Sequence, residues 1–562
     1  MHGKKYSLGL DFGTNSVRAL LVEVKSGREA AEAVWKFRRG EAGVLLDARD
    51  DNLARQDPQD WLDGLEQSIR AALAQAKKKV PGFSAAEVIG IGVDTTGSTP
   101  LPLDRTGTPL GLLPAFRKNL HAQAWLWKDH TSYAEAAEIT ALAQKLRPRY
   151  LKKCGGAYSS EWFFSKILHC RRVAPKIFAA AFSWAECSDY IPAVLTGRTD
   201  PLHMKRNLCA AGHKAMYNAG WGGLPDQAFL GKLDPALGKL RSRLYELAYP
   251  ADLPAGPLAA PIAKRLGLPA GIPVAVGMID AHAGAVGSGI KPGTLVKIIG
   301  TSTCDMMVAP LDQAVPDIPG IAGIAESSIL PGAFGFEAGQ SAVGDIFNWF
   351  VSSLAPQGLG HAELTARAKK LRPGQSGLLA LDWNNGNRNV LADPRLTGLL
   401  LGQTLHTTPE EIYRALIEAT AFGARMIIER FEAYGMQVKE VVNCGGISEK
   451  NDLLLQIYAD VLGRPMKLAR AKEACALGAA ICGAVAAGSR LGGHTTVEAA
   501  ERVMTGRRAR VFRPLAANRK TYARLFLLYR KLHDSFGGVQ KTADLAAVMK
   551  ELLAIKESLR NY

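Results

Sequence analysis

A short pattern of residues occurs twice in this chain, nearly half the chain apart. In the first copy, residues 8–18 (LGLDFGTNSVR), an apolar run leads into Asp11 and a Gly-Thr turn, and a second apolar run follows. In the second copy, residues 295–305 (LVKIIGTSTCD), the apolar run and the Gly-Thr turn recur before another apolar run. Each copy predicts a β-hairpin. The repetition predicts two similar α/β halves whose turns face one cleft.

The tips of these hairpins carry the chemistry of a phosphate site. Carboxylate and hydroxyl oxygens can hold Mg²⁺, and the N–H groups of a tight turn can bind phosphate oxygens. A single Asp-x-Gly-Thr turn is also typical of ordinary hairpins, because glycine permits the backbone angles of the turn. Two such turns could grip one polyphosphate between them, so the pair predicts a polyphosphate site more specifically than either turn does alone.

Length and composition limit the class of protein. A chain of 562 residues is too long for one core and predicts two or more domains. Its content of 47% hydrophobic and 22% charged residues is ordinary for a folded protein. No stretch approaches the roughly 18 consecutive apolar residues of a membrane span, and the N-terminus shows no signal-peptide pattern. We therefore expect a cytoplasmic protein with no membrane partner.

The formal net charge of +17 raises the question of a nucleic-acid partner. In the basic segment after residue 501, cationic residues alternate with apolar groups such as LFLLY, which is typical of amphipathic helices with a solvated cationic face. No stacking aromatic residues accompany them, so we expect no nucleic-acid partner. The eight cysteines form no C-x-x-C pair, which favours reduced, buried thiols over a zinc site.

Strand and helix patterns alternate along the first half of the chain. Asp57 and Pro58 predict the start of a helix, and the apolar run 88–94 predicts a strand that ends in the polar turn 95–99. This alternation is typical of a layered α/β domain, in which ligands bind at the ends of strands. Proline and glycine are enriched over residues 250–273 and predict a domain boundary. We place the domain bounds at residues 1–265, 266–505 and 506–562, the last of these a C-terminal helical segment.

Three positions are candidate functional residues from chemistry alone. Asp280 follows a predicted strand and starts a small-residue helix, where a carboxylate can serve as a base of adjustable pKa, as a helix cap, or as both. Lys214 follows His213 on a predicted turn that faces either a ligand or solvent, and residues 336–341 (FEAGQS), which include Glu337, predict another polar turn. The double glycine 445–446 lies between a predicted strand and helix, which suits a nucleotide contact or simple close packing.

Ten segments together resemble the sugar kinases of the FGGY carbohydrate kinase family, which shares the fold of actin, hexokinase and heat-shock chaperones. The resemblance extends from about residue 6 to 500. WKDHT, YSSEW and AGHK are not general to sugar kinases and are similar to segments of the branch that acts on ribulose. The ten segments are DTTGSTPLPLD, LWKDHT, GGAYSSEWFFSKILH, AAGHKAMY, GWGGLP, GAVGSG, LVKIIGTSTCD, EAGQSAVGDI, EATAFGAR and CGGIS.

This resemblance implies an α/β fold in which two RNase-H-like (actin/hexokinase-type) domains flank a central catalytic cleft, with residues 1–265 as the sugar-binding domain and residues 266–505 as the ATP-binding domain. It implies ATP and Mg²⁺ as cofactors and a small-molecule sugar as substrate, with L-ribulose phosphorylated to L-ribulose 5-phosphate in arabinose catabolism. Other ketoses or polyols (D-ribulose, xylulose, ribitol) remain open as substrates. A non-catalytic actin-like nucleotide switch is a further alternative, and a homodimer stays open beside a monomer.

The resemblance also implies roles for individual residues. Asp280 matches the general base, and Asp11 matches the residue that holds Mg²⁺ through water. Asn15 stands where some relatives carry an acid, which leaves a second metal contact open. The sugar-binding positions are Thr96, Gly97, Lys214, Asp280 and Glu337. The nucleotide-binding positions are Thr14, Asn15, Arg18, Gly300, Thr301, Ser302, Gly445, Gly446 and Asn451.

Overall fold

Each copy of the repeated hairpin lies inside its own seven-stranded sheet in the computed structural model, which describes residues 4–540, 545 and 548–559. The strands, in chain order, are β1 Tyr6–Phe12, β2 Ser16–Glu23, β3 Glu29–Lys36, β4 Leu45–Asp47, β5 Asp50–Gln56, β6 Val88–Thr95, β7 Pro100–Leu103, β8 Ala124–Trp125, β9 Ser183–Glu186, β10 Arg206–Asn207, β11 Ala248–Tyr249, β12 Pro254–Pro257, β13 Pro273–Ala275, β14 Met278–Ile279, β15 Thr294–Ile299, β16 Thr303–Pro310, β17 Gly323–Glu326, β18 Ala333–Ala338, β19 Leu379–Leu381, β20 Leu399–Leu401, β21 Glu440–Cys444, β22 Met466–Ala469 and β23 Arg507–Phe512.

The α-helices, in chain order, are α1 Pro58–Lys79, α2 Tyr133–Leu146, α3 Pro148–Lys152, α4 Phe163–Val173, α5 Pro175–Ala180, α6 Cys187–Thr196, α7 Leu208–Lys214, α8 Gln227–Leu233, α9 Pro235–Leu240, α10 Ala260–Leu266, α11 Asp280–Gly287, α12 Gly344–Trp349, α13 His361–Ala368, α14 Pro409–Ala433, α15 Gly446–Lys450, α16 Asp452–Leu462, α17 Ala474–Ala487, α18 Val497–Met504, α19 Ala516–Phe536 and α20 Val548–Ser558. Among the described residues, no helix is both long enough and apolar enough to cross a membrane.

The two large sheets share one plan. In the first sheet, β1 lies between the antiparallel β2 and the parallel β6, within the order β12-β13-β6-β1-β2-β3, and β14 also pairs with β6. In the second sheet, β15 lies between the antiparallel β16 and the parallel β21, within the order β17-β18-β16-β15-β21-β22-β23. The sequence repeat therefore corresponds to a structural repeat, and both predicted hairpins are confirmed.

Helix starts follow their local sequence. The Asp57 side chain accepts a hydrogen bond from the Gln59 amide at the start of α1, and Pro58 occupies the first turn, as predicted. Trp61 of α1 is fully buried in the core of the first domain. All eight cysteines are free thiols and six of them are buried, which confirms the expectation of reduced thiols.

The chain that follows each of the two predicted domain ends, 265 and 505, pairs into a sheet. Strands β13 and β14 belong to the first sheet, so the chain continues to pair with the first domain beyond residue 265. The proline-rich stretch therefore contains β12, the edge strand of that sheet. The C-terminal segment begins with a strand, because β23 pairs with β22 at the edge of the second sheet. Its helix α19 buries Tyr522 and Tyr529 in the core of the second domain.

Helix α17 joins the two halves because its small residues allow direct backbone contact. It packs against β1 and β6 of the first sheet and against α11. A Cβ added at Gly9 of β1 would lie 1.8 Å from the Ala476 carbonyl oxygen, and one added at Gly92 of β6 would lie 1.8 Å from that of Ala479. The helix thus rests on the sheet with no room for a side chain between them.

We expect Gly92→Ala to destabilise the protein by about 1–3 kcal/mol or more, because the new methyl group must displace the backbone of α17. Gly360→Ala is the control, since a Cβ there meets no atom within 4 Å and should change stability by no more than about 0.5 kcal/mol. Thermal unfolding of both variants measures the effect. Equal midpoints for the two variants would show that α17 is not held this closely.

Candidate functional site

Three carboxylates meet at the ends of neighbouring strands. Asp11 of β1 lies directly opposite Asp94 of β6 in the parallel register. Asp280 follows β14, whose Ile279 pairs with Thr95 of the same strand β6. The register therefore brings together two residues predicted from the sequence, Asp11 and Asp280, and a third that was not predicted. Asp94 could have been found, since the run VIGIGVD ends in an acid beside the first hairpin.

Burial controls the charge of these groups. Burial and the nearby Asp11 raise the pKa of Asp280 from 3.8 to about 7. Burial, together with Asp11 and Asp280, raises the pKa of Asp94 well above its ordinary value. Within the described chain, neither carboxylate oxygen of Asp94 has a hydrogen-bond partner, although both are buried. Oxygen donors with unbalanced negative charge are what Mg²⁺ prefers, so this chemistry fits that ion.

Arg18 partly balances this negative charge. Its guanidinium lies 3.1 Å from the Asp11 carboxylate and 2.9 Å from that of Glu473, which precedes α17. A third contact, 3.0 Å long, joins Arg18 to Glu32 of β3. The predicted nucleotide-binding residue Arg18 thus lies beside Asp11, where it links the hairpin to the helix that joins the halves.

A buried ion pair links the two domains beside Asp280. Lys214, at the end of α7, donates to Glu337 of β18 over 2.5 Å. Burial alone would raise the pKa of Glu337, but the Lys214 ammonium and, after it, the contact with His282 hold it well below its ordinary value. The sequence predicted turns at both positions. The structure instead has a helix and a strand, which gives both side chains rigid supports.

The turn after β6 lies against the strand that leads to Asp280. The Thr96 amide donates to the Phe12 carbonyl over 2.9 Å, and the Thr96 hydroxyl lies 3.0 Å from that of Thr99. A Cβ at Gly97 would lie 2.9 Å from a methyl carbon of Ile279. The predicted sugar-binding positions Thr96 and Gly97 are therefore close to the residue that precedes Asp280.

The tip of the first hairpin is held by its own domain. The Gln56 side chain donates from Nε2 to the Thr14 carbonyl over 2.8 Å, and the Trp127 indole donates to the Thr14 hydroxyl over 3.0 Å. The Asn15 side chain donates to the Ala42 carbonyl. Since the Trp127 N–H occupies only one lone pair, the Thr14 hydroxyl keeps its hydrogen free to donate.

Asp129, two residues after Trp127 in the segment WLWKD, holds this loop in place. The carboxylate of Asp129 forms a buried ion pair with Arg55 and accepts a hydrogen bond from the Ala54 amide. Asp129 therefore fixes the loop that carries Trp127 and does not point into the cleft.

The tip of the second hairpin lies beside the double glycine. The Gly300 amide donates to the Ser302 carbonyl over 2.9 Å, and the Thr301 carbonyl accepts from the Val343 amide over 2.8 Å. Gly445 has φ +94°, and a Cβ there would lie 2.5 Å from the Ile299 carbonyl oxygen, so glycine is required. Gly446 faces open space. The structure therefore brings the predicted residues of the second tip and the double glycine together.

Asn451 has a structural contact of its own. Its side-chain oxygen accepts a hydrogen bond from the Leu454 amide over 3.0 Å and caps α16. This leaves the Asn451 side-chain N–H₂ group as the part that can contact another molecule.

One further contact between the domains was not predicted from the sequence. The Arg388 guanidinium lies 3.0 Å from the carboxylate of Glu161, and both groups are well shielded from solvent. Arg388 lies in a loop that carries no recognisable motif, so only the fold could reveal its proximity to Glu161. The pair lies near the Lys214–Glu337 pair, close enough for the charges of the two pairs to affect one another.

Comparison with known proteins gives a consistent match over nearly the whole chain. The profile of the FGGY family of carbohydrate kinases matches residues 6–287 with its N-terminal domain and residues 295–487 with its C-terminal domain. A ribulokinase of Shouchella clausii (strain KSM-K16) is 41% identical over 566 residues, which cover 98% of each chain. A ribulokinase of Vibrio parahaemolyticus is 40% identical over 551 residues, 94% of this chain and 95% of its own.

Solved structures show the same architecture at lower identity. A xylulose kinase of Rhodospirillum rubrum has a TM-score of 0.75 at 24% identity, covering 95% of this chain and 99% of its own. A Plasmodium falciparum glycerol kinase with ADP has a TM-score of 0.73 at 16% identity, covering 94% of this chain and 98% of its own. These matches confirm the predicted two-domain α/β fold.

The raised pKa of Asp280 predicts a pH-dependent cost in stability. The pKa of Asp280 is about 7 in the folded protein, against 3.8 for an ordinary aspartate. Ionisation of Asp280 therefore opposes folding increasingly as the pH rises from about 4 to 7. At about 1.4 kcal/mol per pKa unit, the loss in the free energy of unfolding is at most about 4 kcal/mol. We expect Asp280→Asn to unfold at a higher temperature than the unmodified protein at about pH 8, with the difference vanishing near pH 4.

Asp51→Asn is the control, because the Asp51 carboxylate is exposed to solvent in the folded protein. It should show no such pH-dependent gain in thermal unfolding. A gain for Asp280→Asn that is absent, or equal at both pH values, would contradict the raised pKa.

Proposed function

Because the chain belongs to the FGGY family of carbohydrate kinases, we propose that it transfers the terminal phosphoryl group of ATP to a ketopentose, converting L-ribulose to L-ribulose 5-phosphate. The observation that carries this proposal is the Lys214–Glu337 ion pair, which joins the two domains close to Asp280. The ribulokinases that are about 40% identical over nearly full length support ribulose as the sugar.

Asp280 is the proposed general base. With a pKa of about 7 it is ionised in a large fraction of molecules at neutral pH and can still hold the proton it accepts. Its carboxylate also accepts a hydrogen bond from the Ala281 amide at the start of α11, which fixes one oxygen. The other oxygen is left to take the proton of the sugar's terminal hydroxyl.

The sugar is held from both domains in this proposal. The Lys214 ammonium donates to sugar oxygens, and the Glu337 carboxylate accepts from sugar hydroxyls. Both groups are nearly fully buried, so a hydroxyl lost from the substrate would leave an unpaired polar group in the site. Such sites reject analogues more strongly than apolar pockets do. Thr96 and Gly97 line the wall beside Ile279.

The two hairpins hold the phosphate groups of ATP in this proposal. Thr14 and the turn Gly300–Thr301–Ser302 supply hydroxyl and amide donors from opposite domains. Mg²⁺ bound beside Asp11 would supply positive charge for the transferring phosphoryl group. Arg18 positions the Asp11 carboxylate, and the unpartnered oxygens of Asp94 lie beside it.

The adenosine side of ATP is proposed to lie against the double glycine. Gly446 faces open space, so a flat base can approach its backbone, and the Asn451 N–H₂ group lies at the start of the next helix. Oligomeric state and cytoplasmic location stay predictions.

The function is tested by ADP release from ATP with L-ribulose, D-ribulose, D-xylulose, ribitol and glycerol. We expect L-ribulose to give the highest kcat/KM, because Lys214 and Glu337 demand a specific set of hydroxyls. Asp280→Asn is the negative control. It should keep sugar binding and lose roughly two or more orders of magnitude in turnover. A higher kcat/KM for another sugar would change the substrate. If nucleotide drives polymerisation and no phosphorylated product forms, the protein is a nucleotide switch and not a kinase.

A further inference from the structure

A continuous line of buried polar contacts joins the backbone next to Asp280 to Glu337. The Ile279 amide donates to the Cys209 sulfur over 3.4 Å. The same sulfur lies 2.5 Å from Nδ1 of His282, and Nε2 of His282 lies 3.4 Å from Oε2 of Glu337. The other carboxylate oxygen of Glu337, Oε1, accepts a hydrogen bond from the Lys214 ammonium. Cys209 and His282 have no place in the mechanism above.

The direction of these contacts can be deduced from donors and acceptors. Burial raises the pKa of Cys209 well above its ordinary value, so the group is a thiol. Burial lowers the pKa of His282, so its ring is neutral and carries one N–H. The Ile279 N–H can only donate, so the sulfur accepts there and its S–H is free for Nδ1. The ring hydrogen then lies on Nε2, facing Glu337.

The opposite tautomer would leave two conflicts. The Cys209 S–H would have no acceptor among its described neighbours, and a lone pair on Nε2 would face the ionised carboxylate. Neither Nε2 nor Oε2 has a closer polar partner in the described part of the chain. At 3.4 Å the contact is longer than an ordinary hydrogen bond, and the attraction between the ring N–H and the carboxylate charge favours this tautomer.

His213 provides an internal contrast. Its ring lies against that of His282, with centroids 4.6 Å apart, and its Nδ1 is 3.6 Å from the same Oε2. Its Nε2 lies 2.9 Å from the Ser328 hydroxyl, which donates to the Ala325 carbonyl. Since the hydroxyl hydrogen is used there, His213 must carry its hydrogen on Nε2. It has none to offer Glu337.

We propose that His282 is a positioning residue for the sugar-binding Glu337, and that the Cys209 thiol sets its tautomer so that an N–H faces the carboxylate. This inference rests on the proposed function, because it assigns Glu337 to the sugar. With one oxygen held by Lys214 and the other by His282, the carboxylate has a fixed orientation, and its remaining lone pairs face the substrate.

The same three groups could be considered as a metal site, since ligand atoms of His213, His282 and Glu337 lie within 4.8 Å of one another. Two features argue against a metal ion there. Nε2 of His282 carries the proton and has no lone pair to give, and the Lys214 ammonium already occupies the same carboxylate as its cation.

The first test is kinetic and uses the full-length protein. Cys209→Ala removes the S–H donor and should raise the KM for sugar roughly tenfold, the cost of about one hydrogen bond, with kcat and the KM for ATP within about twofold. Cys209→Ser restores a donor to Nδ1 and should recover the KM. Ser328→Ala is the matched control, because it disturbs His213 and should leave the sugar KM unchanged.

The second test needs no substrate. In protein labelled with ¹⁵N-histidine, two-bond ¹H–¹⁵N correlations report which ring nitrogen of His282 carries the hydrogen. We expect Nε2 in the unmodified protein and in Cys209→Ser, and a shift toward Nδ1 in Cys209→Ala. An Nδ1-protonated ring in the unmodified protein overturns the proposal.

An unchanged sugar KM in Cys209→Ala, or a Cys209→Ser variant that fails to recover, also overturns it, because the effect would then come from packing. Failure of the proposed function is distinguishable, since it would appear as no sugar phosphorylation in the unmodified protein while the tautomer measurement still gives its answer.

Discussion

The site depends on the burial of carboxylates at the ends of adjacent strands. Parallel pairing of β1 with β6 places Asp11 opposite Asp94, and β14 delivers Asp280 to the same edge. Removing three negative charges from water is costly unless cations compensate them. Arg18 balances part of this charge. Burial and, after it, the remaining negative charge raise the pKa values of Asp94 and Asp280. This edge of the sheet therefore favours cations and protons.

Direct backbone packing makes this arrangement rigid. Helix α17 comes from the second half of the chain but rests on β1 and β6 through Gly9 and Gly92. The carboxylates of the first domain therefore lie beside elements of the second. Ion pairs cross the same boundary, since Lys214 and Glu161 of the first domain meet Glu337 and Arg388 of the second. A motion that opens the cleft must separate these charges.

The repeat of the Gly-Thr hairpin made the overall architecture predictable, because the same short pattern imposes the same strand pairing in both halves. The resemblance of ordered segments then predicted the family and the carboxylate base. Long-range contacts were harder. Asp94, Arg388 and His282 have neighbours set by strand register and by loops from distant parts of the chain, and no local pattern encodes such contacts. The turns predicted around Lys214 and Glu337 were wrong because tertiary packing decides the state of short polar segments.

In the proposed mechanism, Asp280 acts as a base whose pKa is held near neutrality by burial and by Asp11. The pH dependence of kcat/KM for the preferred sugar tests it most directly, because this parameter reports the ionisation of the free enzyme. We predict a rate that is constant above about pH 7 and falls about tenfold per pH unit well below it. A profile that stays flat from about pH 5 to 8 would contradict the assignment of Asp280 as the base.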